Sequence, residues 1–250
     1  MQAFWLIARF GLTRDIYLDS GAQILDTLAH TPKFNDWMAD TVRGAAGSRV
    51  LELGAGIGNL TQKLLPRRKL YFATDIDDEH MARLRIRFQN KPNLNVCRCD
   101  LTNPEDFAPL AGRFDTVICL NVVEHVEHDQ VALANIASAL SEGGRAVVLV
   151  PQGQAVYGTL DEVLGHYRRY SPVELQRKME EAGLQVERII QFNRVTLPAW
   201  FVNGRVFKKR TFGRFQLWAF DHLVWLWRRI DRWLPWPSVS LIAVGVKPRR

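Results

Sequence analysis

The sequence predicts an α/β fold in which helices cover both faces of a mostly parallel sheet. Two observations support this prediction. Apolar, strand-like runs alternate with helix-like stretches along most of the chain, which is typical of parallel sheets. The first of these runs leads directly into a glycine-rich turn, the element that binds nucleoside-type ligands in such sheets. At 250 residues, the chain is long enough for one domain with a sizeable core.

Seven apolar runs are the candidate strands, and polar or turn-forming residues bound each of them. They span residues 49–54, 69–74, 94–99, 114–120, 145–150, 185–192 and 238–246. Helical patterns lie between them at residues 59–65, 77–89, 129–140 and 171–182. The last helix has the clearest ends, with Ser171 as N-cap, Pro172 at the first helical position and Gly183 beyond its C-terminus.

This order of elements divides one domain into four segments. Residues 1–48 are expected to form a helical lid before the sheet, and residues 49–192 to form the ligand-binding core. Residues 193–237 form an insertion, and residues 238–250 supply the last strand and a tail. No linker or internal repeat separates these segments, so a single domain is predicted.

The composition favours a soluble cytosolic protein. A hydrophobic content of 47% and a charged content of 24% are ordinary for globular domains. Cys97, Cys99 and Cys119 are odd in number and lie in apolar runs, as expected for reduced core thiols. No run reaches the roughly 20 apolar residues that span a bilayer. The apolar stretch at residues 4–7 is too short for a signal peptide.

The positive charge is concentrated in residues 193–237. Nine Lys or Arg oppose only Asp221 and Asp231 there, so this segment carries a formal +7, the net charge of the whole chain. It also holds six of the eight tryptophans. Between Phe215 and Leu234, apolar residues recur at helical spacing and predict one amphipathic helix. Such a helix is typical of an interfacial membrane anchor and also of a helix packed on a sheet. Nucleic acid is not an expected partner, because no RNA-binding module accompanies the helix.

The glycine-rich turn lies in residues 50–60, which read Val-Leu-Glu-Leu-Gly-Ala-Gly-Ile-Gly-Asn-Leu. Gly54, Gly56 and Gly58 allow the backbone to approach a ligand closely and to adopt positive φ angles. A dinucleotide-binding turn would place its third glycine at the position of Asn59. The spacing therefore disfavours a nicotinamide-dependent dehydrogenase, and a turn without any ligand is the other alternative.

Further motifs follow the later strands. Asp75 ends the second strand, Asp100 follows the third, and residues 121–125 (Asn-Val-Val-Glu-His) follow the fourth. Together with the glycine turn, these motifs resemble class I S-adenosylmethionine (SAM) methyltransferases, in particular the group that includes ubiquinone- and menaquinone-pathway enzymes. The resemblance covers residues 48–192. It implies a Rossmann-like sheet of seven strands with an antiparallel last strand, and SAM as the cofactor with S-adenosylhomocysteine as its product.

The resemblance also assigns cofactor contacts. The turn is expected to hold the methionyl end and the ribose, Asp75 to accept hydrogen bonds from the ribose hydroxyls, and Asp100 to accept one from the adenine amino group. Ile76 and Leu101 would cover the two faces of the adenine. The expected set is Glu52, Gly54, Ala55, Gly56, Gly58, Asn59, Asp75, Ile76, Asp100, Leu101 and Asn121. Two alternatives stay open: Asp75 caps the helix at residues 77–89, and Asp100 is a turn residue.

The resemblance extends to catalysis. No Asn-Pro-Pro-Tyr-type sequence follows the fourth strand, which argues against amino-methylating enzymes, so an oxygen acceptor is expected, with carbon as the alternative. His125 is the candidate base, because an unperturbed imidazole titrates near neutral pH. Glu124 is expected to orient His125 or to contact the cofactor turn. His166, Tyr167 and Arg169 are the substrate-site candidates. Packing around a turn is the alternative for these three residues, and capping or packing beneath the ligand is the alternative for His125.

A divalent metal is the alternative chemistry for the same residues. Some members of the group carry Glu-x-x-Glu-His after the fourth strand together with a distant His, which His166 resembles. Here Asn121 replaces the first Glu, and a neutral amide is a weaker donor to a hard cation. No metal is therefore predicted.

These inferences predict a SAM-dependent methyltransferase in the cytoplasm, peripheral on the inner face of the membrane. Its expected reaction is O-methylation of a lipid-like, prenylated or glycolipid acceptor at the membrane surface. One alternative is a soluble secondary metabolite as acceptor, with the insertion serving as a lid. The other is a SAM-binding module without turnover.

Overall fold

A computed structural model describes residues 31–209 and 213–249, and a seven-stranded sheet forms its centre. The strands are β1 (Arg49–Leu53), β2 (Leu70–Asp75), β3 (Leu94–Arg98), β4 (Phe114–Leu120), β5 (Leu140–Pro151), β6 (Gln185–Phe192) and β7 (Ser240–Val246). Their order across the sheet is β3-β2-β1-β4-β5-β7-β6. β7 pairs antiparallel with β5 and β6, whereas all other pairs are parallel. The predicted sheet, mostly parallel with an antiparallel last strand, is confirmed.

Ten α-helical segments are present in the described residues. They are α1 (Pro32–Arg43), α2 (Thr61–Leu64), α3 (Asp78–Arg87), α4 (Pro104–Phe107), α5 (Asp129–Ala139), α6 (Thr159–Leu164), α7 (Pro172–Glu181), α8 (Leu197–Phe201), α9 (Arg214–His222) and α10 (Val224–Ile230). The four helices predicted before the insertion are α2, α3, α5 and α7. The Ser171 hydroxyl caps α7 by accepting from the Glu174 N–H at 3.1 Å, as its sequence predicts.

Apolar residues on alternate positions of the strands build two cores, one on each face of the sheet. Leu51 and Val117 belong to the core beneath α5 and α7, whereas Val50 and Ile118 belong to the core beneath α1, α2 and α3. This arrangement explains why the central strands read as continuous apolar runs. The helices therefore cover both faces of the sheet.

The start of β5 differs from the prediction. The strand begins at Leu140 instead of residue 145, immediately after α5 ends at Ala139. The pairing between β4 and β5 shifts register between Phe114 and Thr116, so the first residues of β5 pair irregularly. The polar segment at residues 141–145 concealed this extension, because it lacks the apolar pattern of a buried strand.

The insertion is not the single amphipathic helix that its spacing predicted. It breaks at Leu223 into α9 and α10, and α8 precedes both. Its apolar stripe faces the protein: Val224 is buried in the core, and the Phe220 ring lies 5.5 Å from that of Phe34 in α1. The buried Asp221 carboxylate accepts from the Phe34 N–H at 2.9 Å. The packed-helix alternative therefore describes this stripe.

Of the predicted N-terminal lid, α1 and the loop after it lie within the described residues, and residues 1–30 lie outside them. α1 packs against the insertion, where the Asp40 carboxylate pairs with Arg228 at 3.0 Å. A lid function for residues 1–48 stays a prediction. Within residues 31–209 and 213–249, no helix has the length and apolar character that a bilayer crossing requires.

Candidate active site

The glycine turn follows β1 at the carboxyl edge of the sheet. Gly54, Gly56 and Gly58 have φ angles of 69°, 54° and 84°, a region that side chains disfavour. A Cβ on Gly54 would lie 2.3 Å from the Val122 Cγ2, so glycine is required where the turn passes the end of β4. A Cβ on Gly56 would meet no atom within 4 Å, which leaves space above the turn. The Ala55 N–H closes the turn onto the Thr74 carbonyl at 2.8 Å.

Asp75 fastens this turn to the end of β2. Its Oδ2 accepts from the Gly56 N–H at 2.8 Å, and its Oδ1 accepts from the Asp77 N–H at 3.0 Å and lies 3.4 Å from the His80 Nδ1. Burial opposes ionisation of Asp75, but the hydrogen bonds from His80 and the two backbone N–H groups outweigh it and lower the pKa. Asp77, not Asp75, caps α3, so the capping alternative for Asp75 is wrong.

Glu52 lies beneath the turn and is almost completely buried. Its Oε2 accepts from the Thr61 hydroxyl at 2.6 Å and from the Tyr71 hydroxyl at 2.9 Å. Burial raises the pKa of Glu52 to about 7, against the opposing effect of these two hydrogen bonds. Glu52 thus braces β1, β2 and α2 around the turn, and its direct contact with a cofactor stays a prediction.

The residues expected around the adenine are distributed unevenly. The Ile76 side chain is 54% exposed and available to a ligand, whereas Leu101 is packed in the core. The Asp100 Oδ1 accepts from the Thr102 N–H and hydroxyl at 2.8 and 2.7 Å, which is the turn role left open by the sequence. Adenine binding by these three residues stays a prediction.

Two asparagines of the expected cofactor set lie at the edges of the turn. The Asn59 Oδ1 accepts from the Arg87 guanidinium at 3.2 Å. Asn121 is exposed directly after β4 and has a φ of 56°, a conformation that asparagine tolerates better than most residues. Both are placed near the turn by neighbouring elements, and their contacts with a cofactor are untested.

Glu124, His125 and His166 lie close together just after the carboxyl end of β4. One ligand atom from each lies within 4.8 Å of the others, and the two imidazole centroids are 4.8 Å apart. A single turn of 3₁₀ helix at Val123–His125 carries the first two, and the loop after α6 carries His166. The loop is anchored here because the Tyr167 N–H donates to the Glu124 carbonyl at 2.9 Å.

Burial sets the charge state of this cluster. Neither carboxylate oxygen of Glu124 has a hydrogen-bond partner among the described residues, and burial raises the pKa of Glu124 to about 8. Burial and the neighbouring His166 lower the pKa of His125 to about 4. The prediction that Glu124 orients His125 is wrong, because no hydrogen bond joins the two side chains.

The other substrate-site candidates differ in exposure. Tyr167 is 53% exposed, whereas the Arg169 side chain is completely buried. The Arg169 Nε donates to the Asp161 Oδ1 at 2.7 Å and its Nη1 to the Gln152 carbonyl at 3.0 Å. Its guanidinium lies 4.9 Å from the ring centroid of Trp200 in α8, which links the cluster to the insertion.

Asp161 is the main functional candidate that the sequence prediction missed. It lies in α6, is fully buried, and its Oδ1 lies 2.9 Å from the His166 Nδ1. The available signal was an acid five residues before His166 in a helix-like stretch. A carboxylate beside two imidazoles suits proton transfer or cation binding, and the turn beside Asp75 suits a ribose-bearing ligand.

Comparison with known proteins agrees with this geometry. A family described as a methyltransferase domain matches residues 51–146. The chain is 24% identical to the ubiquinone biosynthesis O-methyltransferase of Aeromonas salmonicida over 197 residues, which is 72% of this chain and 81% of that relative.

Solved structures share the fold. A Haloferax volcanii complex between the Trm112 methyltransferase activator and a methyltransferase matches 92% of this chain and 98% of that chain, with a TM-score of 0.64 and 17% identity. The trans-methyltransferase CalH in complex with SAH matches 86% of this chain and 58% of that chain, with a TM-score of 0.57 and 18% identity.

Proposed function

We propose which molecule this chain methylates, on the premise that the chain is a class I SAM-dependent methyltransferase. The acceptor is a hydroxyl oxygen on a lipid-like, prenylated molecule at a membrane surface. The observation that supports an oxygen acceptor best is the cluster of Glu124, His125 and His166. A hydroxyl must lose its proton when it is methylated, and an imidazole of this cluster can accept that proton.

The residues around the turn fit SAM. Asp75 offers a carboxylate for the ribose hydroxyls, the space above Gly56 is open, and the exposed Ile76 can cover a base. Bound SAM supplies an activated methyl group. The task of the chain is to position the acceptor hydroxyl and to take its proton.

His166 is the base in this proposal, in place of His125. The pKa of about 4 makes the His125 imidazole neutral at pH 7, but also a weak acceptor of protons. His166 has one ring nitrogen fixed by Asp161 at 2.9 Å, which leaves the other for the acceptor. His125 then serves as a neutral neighbour that shields the cluster from water.

A divalent cation in the same cluster is the second candidate, and the isolation of Glu124 favours it. A buried carboxylate ordinarily has a hydrogen-bonding partner, and neither Glu124 oxygen has one among the described residues. Glu124 with one nitrogen each from His125 and His166 is a donor set that suits Zn²⁺ or Mn²⁺. Such a cation would supply Lewis-acid activation of the acceptor hydroxyl.

The outer surface of the insertion supports a membrane location. Of the fourteen large apolar side chains that are exposed in the described residues, nine belong to residues 193–237. They are Phe201, Val202, Val206, Phe207, Phe215, Trp218, Leu223, Trp225 and Trp233. We call these nine residues the aromatic face. Since the helical stripe packs inward, this face is the part of the insertion that can meet a bilayer.

Cations accompany the rings on the aromatic face. The Arg229 guanidinium lies 5.5 Å from the Trp225 ring centroid, and the Arg232 guanidinium 4.8 Å from that of Trp233. Exposed Trp beside Arg is the composition that binds the headgroup region of anionic bilayers. An acceptor with a hydrophobic tail would reach the enzyme from the same surface.

The acceptor assignment predicts a dependence on the lipid tail. We expect the protein to transfer a labelled methyl group from SAM to a farnesylated phenol in vesicles. The expected kcat/KM is at least about tenfold higher than for the same phenol without the tail, because the tail buries apolar surface. Equal kcat/KM values would indicate a soluble acceptor and contradict the proposal. Transfer to an amine analogue but not to the phenols would contradict O-methylation.

The same assay tests the cation candidate. Loss of transfer in EDTA with recovery in Mn²⁺ or Zn²⁺ would establish this candidate, and full activity in EDTA would refute it.

The membrane location predicts binding to anionic vesicles. We expect the protein to sediment with phosphatidylglycerol vesicles at low salt and not with phosphatidylcholine vesicles. Replacing Trp225 and Trp233 by Ala should weaken the binding at least about tenfold, since each indole removes apolar surface from water. A matched control replaces Ile86 and Val173, which are exposed elsewhere on the protein. Equal binding of wild type and the double tryptophan variant would exclude the aromatic face as the docking surface.

A further inference from the structure

Asp161 is the most highly connected carboxylate beside the cluster. Its Oδ1 lies 2.9 Å from the His166 Nδ1 and accepts from the Arg169 Nε at 2.7 Å, while its Oδ2 accepts from the Gly158 N–H at 3.0 Å. The backbone N–H of His166 also donates to the backbone carbonyl of Asp161 at 2.9 Å. Asp161 therefore holds both the ring and the backbone of His166.

The chemistry of these contacts determines which nitrogen of His166 is free. A carboxylate ion-paired with a guanidinium only accepts hydrogen bonds, so the His166 Nδ1 must carry the proton that it shares with Asp161. In a neutral imidazole, the Nε2 is then the nitrogen with a lone pair. His166 is 9% exposed, and its ring lies 4.8 Å from that of His125, so the ring has little space to turn over.

We propose that Asp161 is the positioning residue of the acceptor site: it holds His166 in the Nδ1–H tautomer and presents the Nε2 lone pair to the cluster. The inference rests on the proposed function only for the role of His166 in methyl transfer. The tautomer itself follows from the contacts of Asp161.

The start of α6 shows why a carboxylate is needed at this place. A Cβ on Gly158 would lie 2.8 Å from the Gly204 carbonyl oxygen, so the first turn of α6 lies directly against the insertion. The Thr159 hydroxyl donates to the Lys209 carbonyl at 2.7 Å and lies 3.1 Å from the Gly204 carbonyl oxygen. Asp161 binds the Gly158 N–H from the other side. The position of His166 is thereby fixed relative to the insertion as well as to Arg169.

The test is Asp161→Asn, which removes the negative charge that favours the Nδ1–H tautomer of His166. It also leaves one oxygen for the three donors that the carboxylate serves, which belong to His166, Arg169 and Gly158. We expect kcat for the farnesylated phenol to fall about 10²- to 10⁴-fold, a range typical of a lost or misdirected general base. The Kd for SAM, measured by calorimetry, should stay within about twofold. ¹⁵N NMR of histidine-labelled protein should show the His166 proton on Nδ1 in the wild type and an added population with the proton on Nε2 in the variant.

Asp129→Asn is the matched control for lost stability. Asp129 is also buried: its carboxylate is ion-paired with Lys178 at 2.8 Å and accepts from the Tyr170 hydroxyl at 2.8 Å, but it does not contact the cluster. Its variant should lose thermal stability without losing kcat.

A wild-type His166 with its proton on Nε2 would overturn the proposal, and this measurement needs no variant to fold. An unchanged kcat in a folded Asp161→Asn protein would overturn it as well. If the wild type methylates no hydroxyl acceptor, the proposed function fails, while the NMR result still decides the tautomer.

Discussion

Replacing Asp75 by Asn is expected to raise the Kd for SAM about 100-fold. The carboxylate can accept hydrogen bonds from both ribose hydroxyls, and hydrogen bonds to a charged group contribute about 1.5–3 kcal/mol each. A loss of about 3 kcal/mol corresponds to a factor of about 100 in Kd. The variant keeps one oxygen, which can accept from the Gly56 N–H as the carboxylate does, while its amide nitrogen replaces the oxygen that accepts from the Asp77 N–H. Calorimetric titration with SAM and S-adenosylhomocysteine measures the effect.

A neighbouring acid supplies the control for this prediction. Asp78 is exposed in the first turn of α3 and removes the same charge when it is replaced by Asn. Its variant should bind SAM with an unchanged Kd. If both variants weaken binding equally, the effect comes from the overall charge near the turn, and the ribose assignment of Asp75 is wrong.

The glycine turn and the place of Asp75 beside it were predictable because short segments of sequence determine them. A glycine is needed wherever φ is positive, and Gly54 is needed twice over because Val122 leaves no space for a Cβ. Asp75 could be placed because the carboxyl ends of parallel strands meet at one edge of the sheet. Both features lie directly after predicted strands, so the order of the strands was enough to place them.

The cluster of Glu124, His125 and His166 was less predictable, because contacts between distant segments create it. The pKa values of Glu124 and His125 depend on burial, which no local pattern of residues reports. Asp161 reads in the sequence as an ordinary helical acid, and only the fold places it against His166 and Arg169.

The insertion shows a different limit of sequence prediction. Its helical spacing identified residues with an apolar periodicity, and members of this stripe such as Phe220 and Val224 pack on α1 and the core, whereas Leu223 is exposed. The exposed aromatic residues fall between them and break that periodicity. A hydrophobic pattern therefore located the buried side of the insertion, while the candidate membrane surface could be identified only after the helix was seen to break at Leu223.

Replacing Glu124 by Gln is expected to separate activity from stability. The amide has nearly the same shape, but it cannot ionise, so it cannot exchange a proton with the cluster and is a poor ligand for a cation. We expect kcat for the farnesylated phenol to fall at least about 100-fold, as is typical when an acid–base group is lost. The Kd for SAM should stay unchanged, because the contacts of Asp75 and Gly56 do not involve Glu124.

The same variant should have a higher thermal stability than the wild type when both are measured in EDTA. The Glu124 carboxyl is 1% exposed, and it has no hydrogen-bond partner among the described residues, so the folded protein holds an ionisable group in apolar surroundings. Because burial raises the pKa of Glu124 to about 8, folding at neutral pH must protonate a carboxyl that is ionised in the unfolded chain. A neutral amide avoids this cost, and we expect Tm to increase by a few degrees, a shift on the order of 1 kcal/mol. Glu127→Gln, an exposed neighbour, should change neither kcat nor Tm. A Glu124→Gln protein that loses both activity and stability would show that Glu124 supports the fold. One that is more stable and inactive would show that an unfavourable buried acid is kept for the reaction, as expected when function and stability compete at one residue.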